Sequence, residues 1–314
     1  MKERTNAAGH LAAAVTIFIW GTTFISTKVL LTAFTPLEIL FFRFFIGYAA
    51  LWIAAPRLLK LEDKKQELLF AAAGLCGVTL YFLMENFALT LTFAANVSII
   101  IAVAPFFTAI FDWLFMKGTK PGLKFLTGFT AAIVGIALLS FQGESGVHLS
   151  PKGDFLALAA AITWAAYSIL TKKISACGYG TIVTTRRTFF YGLLFMAPVL
   201  CFLPFKLDPA RFSVPQNLLN ILFLGFGASA LCFVTWNYAV RHLGSVKTSV
   251  YIYAVPVITV VTSFLVLHEP ITWRSVCGII LTLAGLMISE GRLEFTPSKK
   301  TDKKGGKQTW KLQN

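Results

Sequence analysis

Four charged side chains stand inside long apolar runs: Arg43 in "FFRFF", Glu85 in "LMENF", Asp112 in "IFDWL" and Arg187 in "TTRRTFF". Away from bulk water, each needs an opposite charge, a ligand or a wet cavity. Two tryptophans, Trp20 in "WGTTF" and Trp164 in "WAAYS", fall near the middle of their runs, where an indole N–H needs an acceptor. Tyr81, Asn86, Asn237, Tyr251 and Tyr253 add hydroxyl and amide groups. These residue types suit recognition of a polar solute by charge, hydrogen bonding and aromatic contact. They do not suit metal or covalent chemistry. The histidines at 10, 148, 242 and 268 lack the i,i+4 pairing of a helical zinc site, and the five cysteines include no CxxC. No metal, cofactor or catalytic residue is expected, and the chain is read as not an enzyme. "GFGASA" (Gly225–Ala230) has the shape of a dinucleotide loop, but it follows no strand and lies in an apolar run, so it reads as close helix packing.

Composition sets the elements that must position these groups. Of the 314 residues, 56% are hydrophobic and 13% charged, and mean hydropathy is +0.72, so the apolar surface exceeds what one soluble core can hide. The chain is expected to be an all-α membrane protein. Apolar runs long enough to span a bilayer occur at about 10–31, 36–56, 68–90, 93–116, 121–141, 153–173, 180–204, 217–240, 245–267 and 272–290. Although the formal charge is +14, the basic residues are scattered between runs rather than interleaved with aromatics on one face, which argues against nucleic acid. Twenty of the 28 Lys and Arg fall on one side of the spans and four on the other. By the positive-inside rule both termini are cytoplasmic, in a multi-pass protein of the cell membrane.

The chain also aligns with itself. An offset of 144 places Trp20 on Trp164, Lys28 on Lys172 and Arg43 on Arg187; an offset of 151 places Gly74 on Gly225, Asn86 on Asn237 and Pro105 on Pro256. Five spans per copy is an odd number, so the second copy must enter the membrane from the opposite side. The expected organisation is a cytoplasmic N-tail (1–9), a first repeat (10–141), an external connector (142–152), a second, inverted repeat (153–290) and a basic cytoplasmic C-tail (291–314). Inverted repeats are a device of secondary transporters.

The 5+5 spans, "WGTTF" with its echo "WAAYS", the late prolines Pro105 and Pro256, and "LHEPIT" (Leu267–Thr272) together resemble the drug/metabolite transporter superfamily, specifically its EamA-type exporters. The first repeat departs from that pattern where "MKGTKP" replaces a glutamate-containing turn. The resemblance implies export of small metabolites such as amino acids.

Lys28, near the far edge of its run, is expected to snorkel to the surface, and Lys172 to do so at the other face. Counting 1.5 Å per residue, Arg43 lies roughly 10 Å inside the outer surface, where Glu85 is the natural partner, with Glu38 shallower. Its repeat mate Arg187 lies equally far inside the inner surface, with Asp112 at matching depth. The pairs read either as structural ion pairs or as two gates. Trp20, Trp164, Tyr81, Tyr253, Asn86 and Asn237 are the candidate substrate-binding residues, on spans 1, 3, 4, 6, 8 and 9, with ordinary packing as the alternative for each. Pro105 and Pro256 are expected to kink their helices and release the carbonyls of Ile101 and Ile252. The leading function is export of amino acids or similar amphipathic solutes by alternating access. The alternative is uptake or exchange of another metabolite, such as a nucleoside or organic cation. Expected partners are a small-molecule substrate and the lipid bilayer, with a monomer as the working expectation.

Overall fold

The computed structural model describes residues 2–140, 150–202, 204–269 and 271–289. Among these residues there are ten long helices and no strands. They are α1 (Lys2–Leu30), α2 (Pro36–Ala54), α3 (Lys64–Leu91), α4 (Ala94–Met116) and α5 (Leu123–Ser140), then α6 (Pro151–Ala176), α7 (Thr181–Phe202), α8 (Pro215–Leu243), α9 (Ser245–Leu267) and α10 (Trp273–Ser289). Among the described residues, seven are long and apolar enough to cross a membrane. The segment read as an N-tail is already helical from Lys2. Most of the connector and the C-tail lie outside the described residues.

The two sets of five helices repeat in their irregularities as well as their lengths. Helix α3 passes through a π-helical segment at Leu75–Leu80, and α8 through one at Phe223–Leu231. Helix α4 is interrupted at Ala102 and Val103, just before Pro105, and α9 tightens to a 3₁₀ segment at Val250–Ala254, just before Pro256. Both then end on a non-glycine residue in the left-handed region, Lys117 (φ 55°) and His268 (φ 53°), 151 positions apart. Proline cannot donate to the carbonyl four residues before it and crowds that carbonyl, so each break falls where the sequence puts its proline.

Close approach in lipid depends on small residues, and four glycines cross α5 over α10. A Cβ at Gly285 would lie 2.4 Å from the carbonyl oxygen of Gly128, and one at Gly135 would lie 2.7 Å from that of Gly278. Because the obstructing atoms are backbone, neither helix can yield without separating. Gly285→Val is therefore expected to lower the midpoint of thermal unfolding in detergent, by an amount corresponding to about 1–3 kcal/mol of overpacking. Elsewhere Gly74 of α3 sits against α7, and its mate Gly225 of α8 against Ile46 of α2. Each repeat thus packs into the other.

Candidate functional site: a closed aromatic cavity

The paired tryptophans meet at the centre of this exchange. Trp20 and Trp164 are edge to face, with ring centroids 5.1 Å apart and planes at 86°. Tyr81 lies 4.8 Å from Trp164, and Trp236 lies 5.1 Å from Trp20. Around them is a cavity of about 30 Å³. Its walls come from α1 (Trp20, Thr23, Phe24), α3 (Tyr81, Phe82, Glu85), α6 (Trp164) and the broken helices α4 (Ile101) and α9 (Ile252, Val255). That volume admits a water or two, since one needs about 10–15 Å³, and no organic solute.

Helix irregularities explain how these side chains reach the cavity. The π segment of α3 inserts an extra residue per turn immediately before Tyr81, which turns Tyr81 and Glu85 to the inside. The matching segment of α8 leaves the Ala228 carbonyl available to accept the Trp20 indole N–H at 3.0 Å. Ile101 and Ile252, each four residues before a proline, stand on the wall where a released carbonyl is tolerated. Two wall groups have no hydrogen-bond partner among the described residues: Glu85 Oε1 and Trp164 Nε1. A buried carboxylate oxygen without a donor is costly, so the cavity is chemically incomplete.

Other candidates lie elsewhere. Asn86 donates from Nδ2 to the Pro36 carbonyl at 3.0 Å, while Asn237 donates to Thr185 Oγ1 at 2.9 Å and accepts from Tyr167 at 3.0 Å. The repeat mates therefore fasten helix to helix, α3 to α2 and α8 to α7, and line no part of this cavity. Tyr253 faces a separate groove between α4, α5 and α9.

The two expected arginine pairs do not form. Arg43 is fully buried, but its Nε donates to Ser229 Oγ at 3.1 Å and its guanidinium lies 4.2 Å from the Phe82 ring centre. Phe82, one turn before Glu85, takes the place assigned to the carboxylate. Glu85 is the leading opposite charge acting on Arg43 but is not within ion-pair distance, and Arg43 Nη1 and Nη2 have no partner among the described residues. Beyond the π segment of α3, Glu85 faces the tryptophans rather than the partner expected for it at that depth.

Arg187 pairs with Glu67 at the start of α3: Nε donates to Glu67 Oε1 at 2.8 Å, Nη2 to the other carboxylate oxygen, and Tyr191 donates its hydroxyl to the same group. Asp112 is taken by Lys172, at 2.5 Å. Matching depth was a poor guide because it ignores which helices touch: α7 packs on α3, and the end of α4 packs on α6. The Arg187–Glu67 pair is only half-buried, so Glu67→Gln is expected to cost about 1–2 kcal/mol, read as a lowered unfolding midpoint. Solute affinity at the distant cavity should be unchanged.

Lysines 28 and 172 do more than snorkel. Lys28 Nζ donates to the Thr92 carbonyl at 2.5 Å and lies 3.8 Å from Glu269 Oε1. Glu269 in turn accepts from the Ala94 and Ala95 backbone N–H groups, at 3.0 and 3.3 Å, and from the Ser263 hydroxyl. One carboxylate therefore holds the α9–α10 turn to the free N–H groups that open α4, beside the end of α1. At the other end of the bundle, Lys172–Asp112 joins the end of α6 to the end of α4. The position aligned with Glu269 is Gly118, and a Cβ there would lie 2.3 Å from Asp112 Oδ2. The missing glutamate of the first repeat is thus replaced by an aspartate six residues earlier, occupying the space the glycine leaves. Glu67 and Glu269 were not among the sequence candidates. Glu269 had a signal, standing in a motif beside a turn, but nothing linear linked it to Lys28.

Ten helices among the described residues, seven of them long and apolar enough to cross a membrane, repeat five by five around a cavity between the halves, which is the build of a membrane transporter made from inverted repeats. A model of the EamA-like transporter family matches residues 7–141 and again 151–290, and the chain belongs to that family. It is 29% identical, over 91% of its length and 99% of the relative's, to a protein of Archaeoglobus fulgidus named "Uncharacterized transporter". It is 26% identical, over 90% of its length and 93% of the relative's, to a "Probable terminal-alkyne amino-acid exporter" of Streptantibioticus cattleyicolor. A solved structure titled only "Crystal structure of protein" superposes with a TM-score of 0.66 at 19% identity, covering 92% of this chain and 99% of that one, and so shares the fold.

Proposed function

We propose that the protein exports small amphipathic solutes bearing an amino group, amino acids first among them, through the cavity between Trp20 and Trp164. The observation that carries this reading is the composition of that cavity: aromatic walls, a carboxylate oxygen at Glu85 without a donor, and an indole N–H at Trp164 without an acceptor. An ammonium group would satisfy the carboxylate and gain from the aromatic faces. A carboxylate or carbonyl oxygen would satisfy the indole, and an apolar side chain the remaining wall. The family supports transport of a solute, and the relative named as an amino-acid exporter supports the class. Because the cavity admits only water, binding requires the repeats to part at one end or the other, as alternating access demands. The test is a screen of amino acids, their esters and N-acetyl derivatives in proteoliposomes, following efflux of radiolabel. Esters should be retained as substrates more readily than N-acetyl forms, which lack the ammonium group. Equal transport of acetylated and free amino acids would remove Glu85 from recognition. Trp164→Phe, which keeps the ring and loses the N–H, should raise the Kd of a free amino acid by about five- to tenfold, measured by tryptophan fluorescence.

A further inference from the structure

Another cavity in the bundle is larger and differently built. It holds about 470 Å³ between α4, α5 and α9, and the turn between α4 and α5, at Thr119–Gly122, forms part of its wall. Its lining includes three lysines, Lys120, Lys124 and Lys247, and apolar side chains such as Phe106, Phe125 and Val250. Among the described residues no acidic side chain lines it. The nearest carboxylate on α4, Asp112, is engaged by Lys172.

We propose that this groove binds a phospholipid with an anionic headgroup, the phosphate on the lysines and the first part of an acyl chain along the apolar lining. Three observations favour a lipid over a small anion. The charge comes from three lysines and the rest of the lining is mostly apolar, whereas a site for a small anion needs more polar groups than this. Apolar surface is contributed by all three helices, Pro105, Phe106 and Ala109 of α4, Phe125 of α5 and Val250 of α9, which is more than a small anion could use. Exposed apolar side chains also stand on the helices that form the groove: Leu126 of α5 is 55% exposed and Val257 of α9 is 49% exposed. Basic pockets between helices on the lysine-rich side are where anionic headgroups are held. Such a lipid would brace α5 against α9 beside the α9 break at Val250–Ala254, and so would act on stability without occupying the cavity of the paired tryptophans.

The test uses the full chain in nanodiscs of phosphatidylcholine, alone or doped with phosphatidylglycerol. Phosphatidylglycerol is expected to raise the unfolding midpoint. In Lys120→Gln/Lys247→Gln, both side chains being exposed and outside the packed core, most of that gain should vanish, with apparent lipid affinity weakened on the order of tenfold. Lys64→Gln/Lys65→Gln, which removes two exposed charges at the same face but away from the groove, should keep the gain. Retention of the gain in the first variant would overturn the proposal, and so would equal loss in the second, which would mean general surface attraction. An equal gain from inorganic phosphate in pure phosphatidylcholine would overturn it in favour of a simple anion site.

Discussion

Glu85→Gln is expected to raise the Kd of an amine-bearing solute by about 10- to 100-fold and to leave a neutral solute of the same shape nearly unaffected. The glutamine keeps the volume of the side chain, so the packing against Phe82 and the tryptophans is preserved, and only the charge is lost. A hydrogen bond from an ammonium group to a carboxylate contributes about 1.5–3 kcal/mol, which sets the range through the factor of ten per 1.4 kcal/mol. Glu85 Oε1 has no donor among the described residues, so an ammonium group can bind that oxygen while the Tyr81 hydroxyl keeps its interaction with the carboxylate. A complication is Arg43, which is fully buried and has Glu85 as its leading opposite charge. Neutralising the acid alone leaves that guanidinium with Ser229 and the Phe82 ring as its company. Some loss of folded protein is therefore expected with Glu85→Gln. It should be relieved in Arg43→Gln/Glu85→Gln, where neither charge remains. Fluorescence of the tryptophans at the cavity gives binding on whatever fraction folds. An unchanged Kd for the amine in folded Glu85→Gln would exclude the carboxylate from recognition.

The architecture was legible in the sequence because lipid imposes it directly. A helix must be long and apolar to cross, and charge bias and the odd number of spans then constrain topology. The Trp20–Trp164 contact was legible through the repeat: residues that are mates near the middle of their spans meet at the pseudo-two-fold axis. The polar pairings were another matter. Depth along a helix can be counted, but azimuth cannot, and two π segments shift azimuth by one residue without any mark in composition. Glu85 therefore faced the cavity rather than Arg43. Arg187 found Glu67 because α7 lies on α3, a fact of packing that no linear spacing carries. The exchange of Glu269 for Asp112 is the most instructive case. The alignment located the departure at Gly118, but only coordinates reveal that a nearby aspartate fills the gap and meets Lys172 as Glu269 meets Lys28.

These two lysine contacts lead to the second large expected effect, since they join the repeats at opposite ends of the bundle. At one end the Lys28–Glu269 contact holds α1 and the α9–α10 turn to the start of α4; at the other, Lys172–Asp112 holds α6 to the end of α4. In the alternating access proposed above, opening a path from the cavity to solvent at one end loosens the contact there, and one end is closed while the other is open. Disabling one contact should therefore bias the equilibrium toward opening at that end. Taking a half-buried contact as about 1 kcal/mol, the population ratio should change about fivefold, and more for Glu269→Gln, which also weakens the capping of α4. A reporter cysteine at Thr23, on the cavity wall, placed in a background with the five native cysteines replaced, can be labelled with an impermeant thiol reagent from either side. Glu269→Gln and Lys28→Gln should raise labelling from the Lys28 end and lower it from the other; Lys172→Gln and Asp112→Asn should do the opposite. Charge-reversed pairs, Lys28→Glu with Glu269→Lys, should restore the balance only in part, because a lysine cannot accept from the Ala94 and Ala95 N–H groups that Glu269 caps. Shifts in the same direction for both ends, or lowered folded yield with unchanged labelling ratios, would reduce the two contacts to structural ties with no part in the switch.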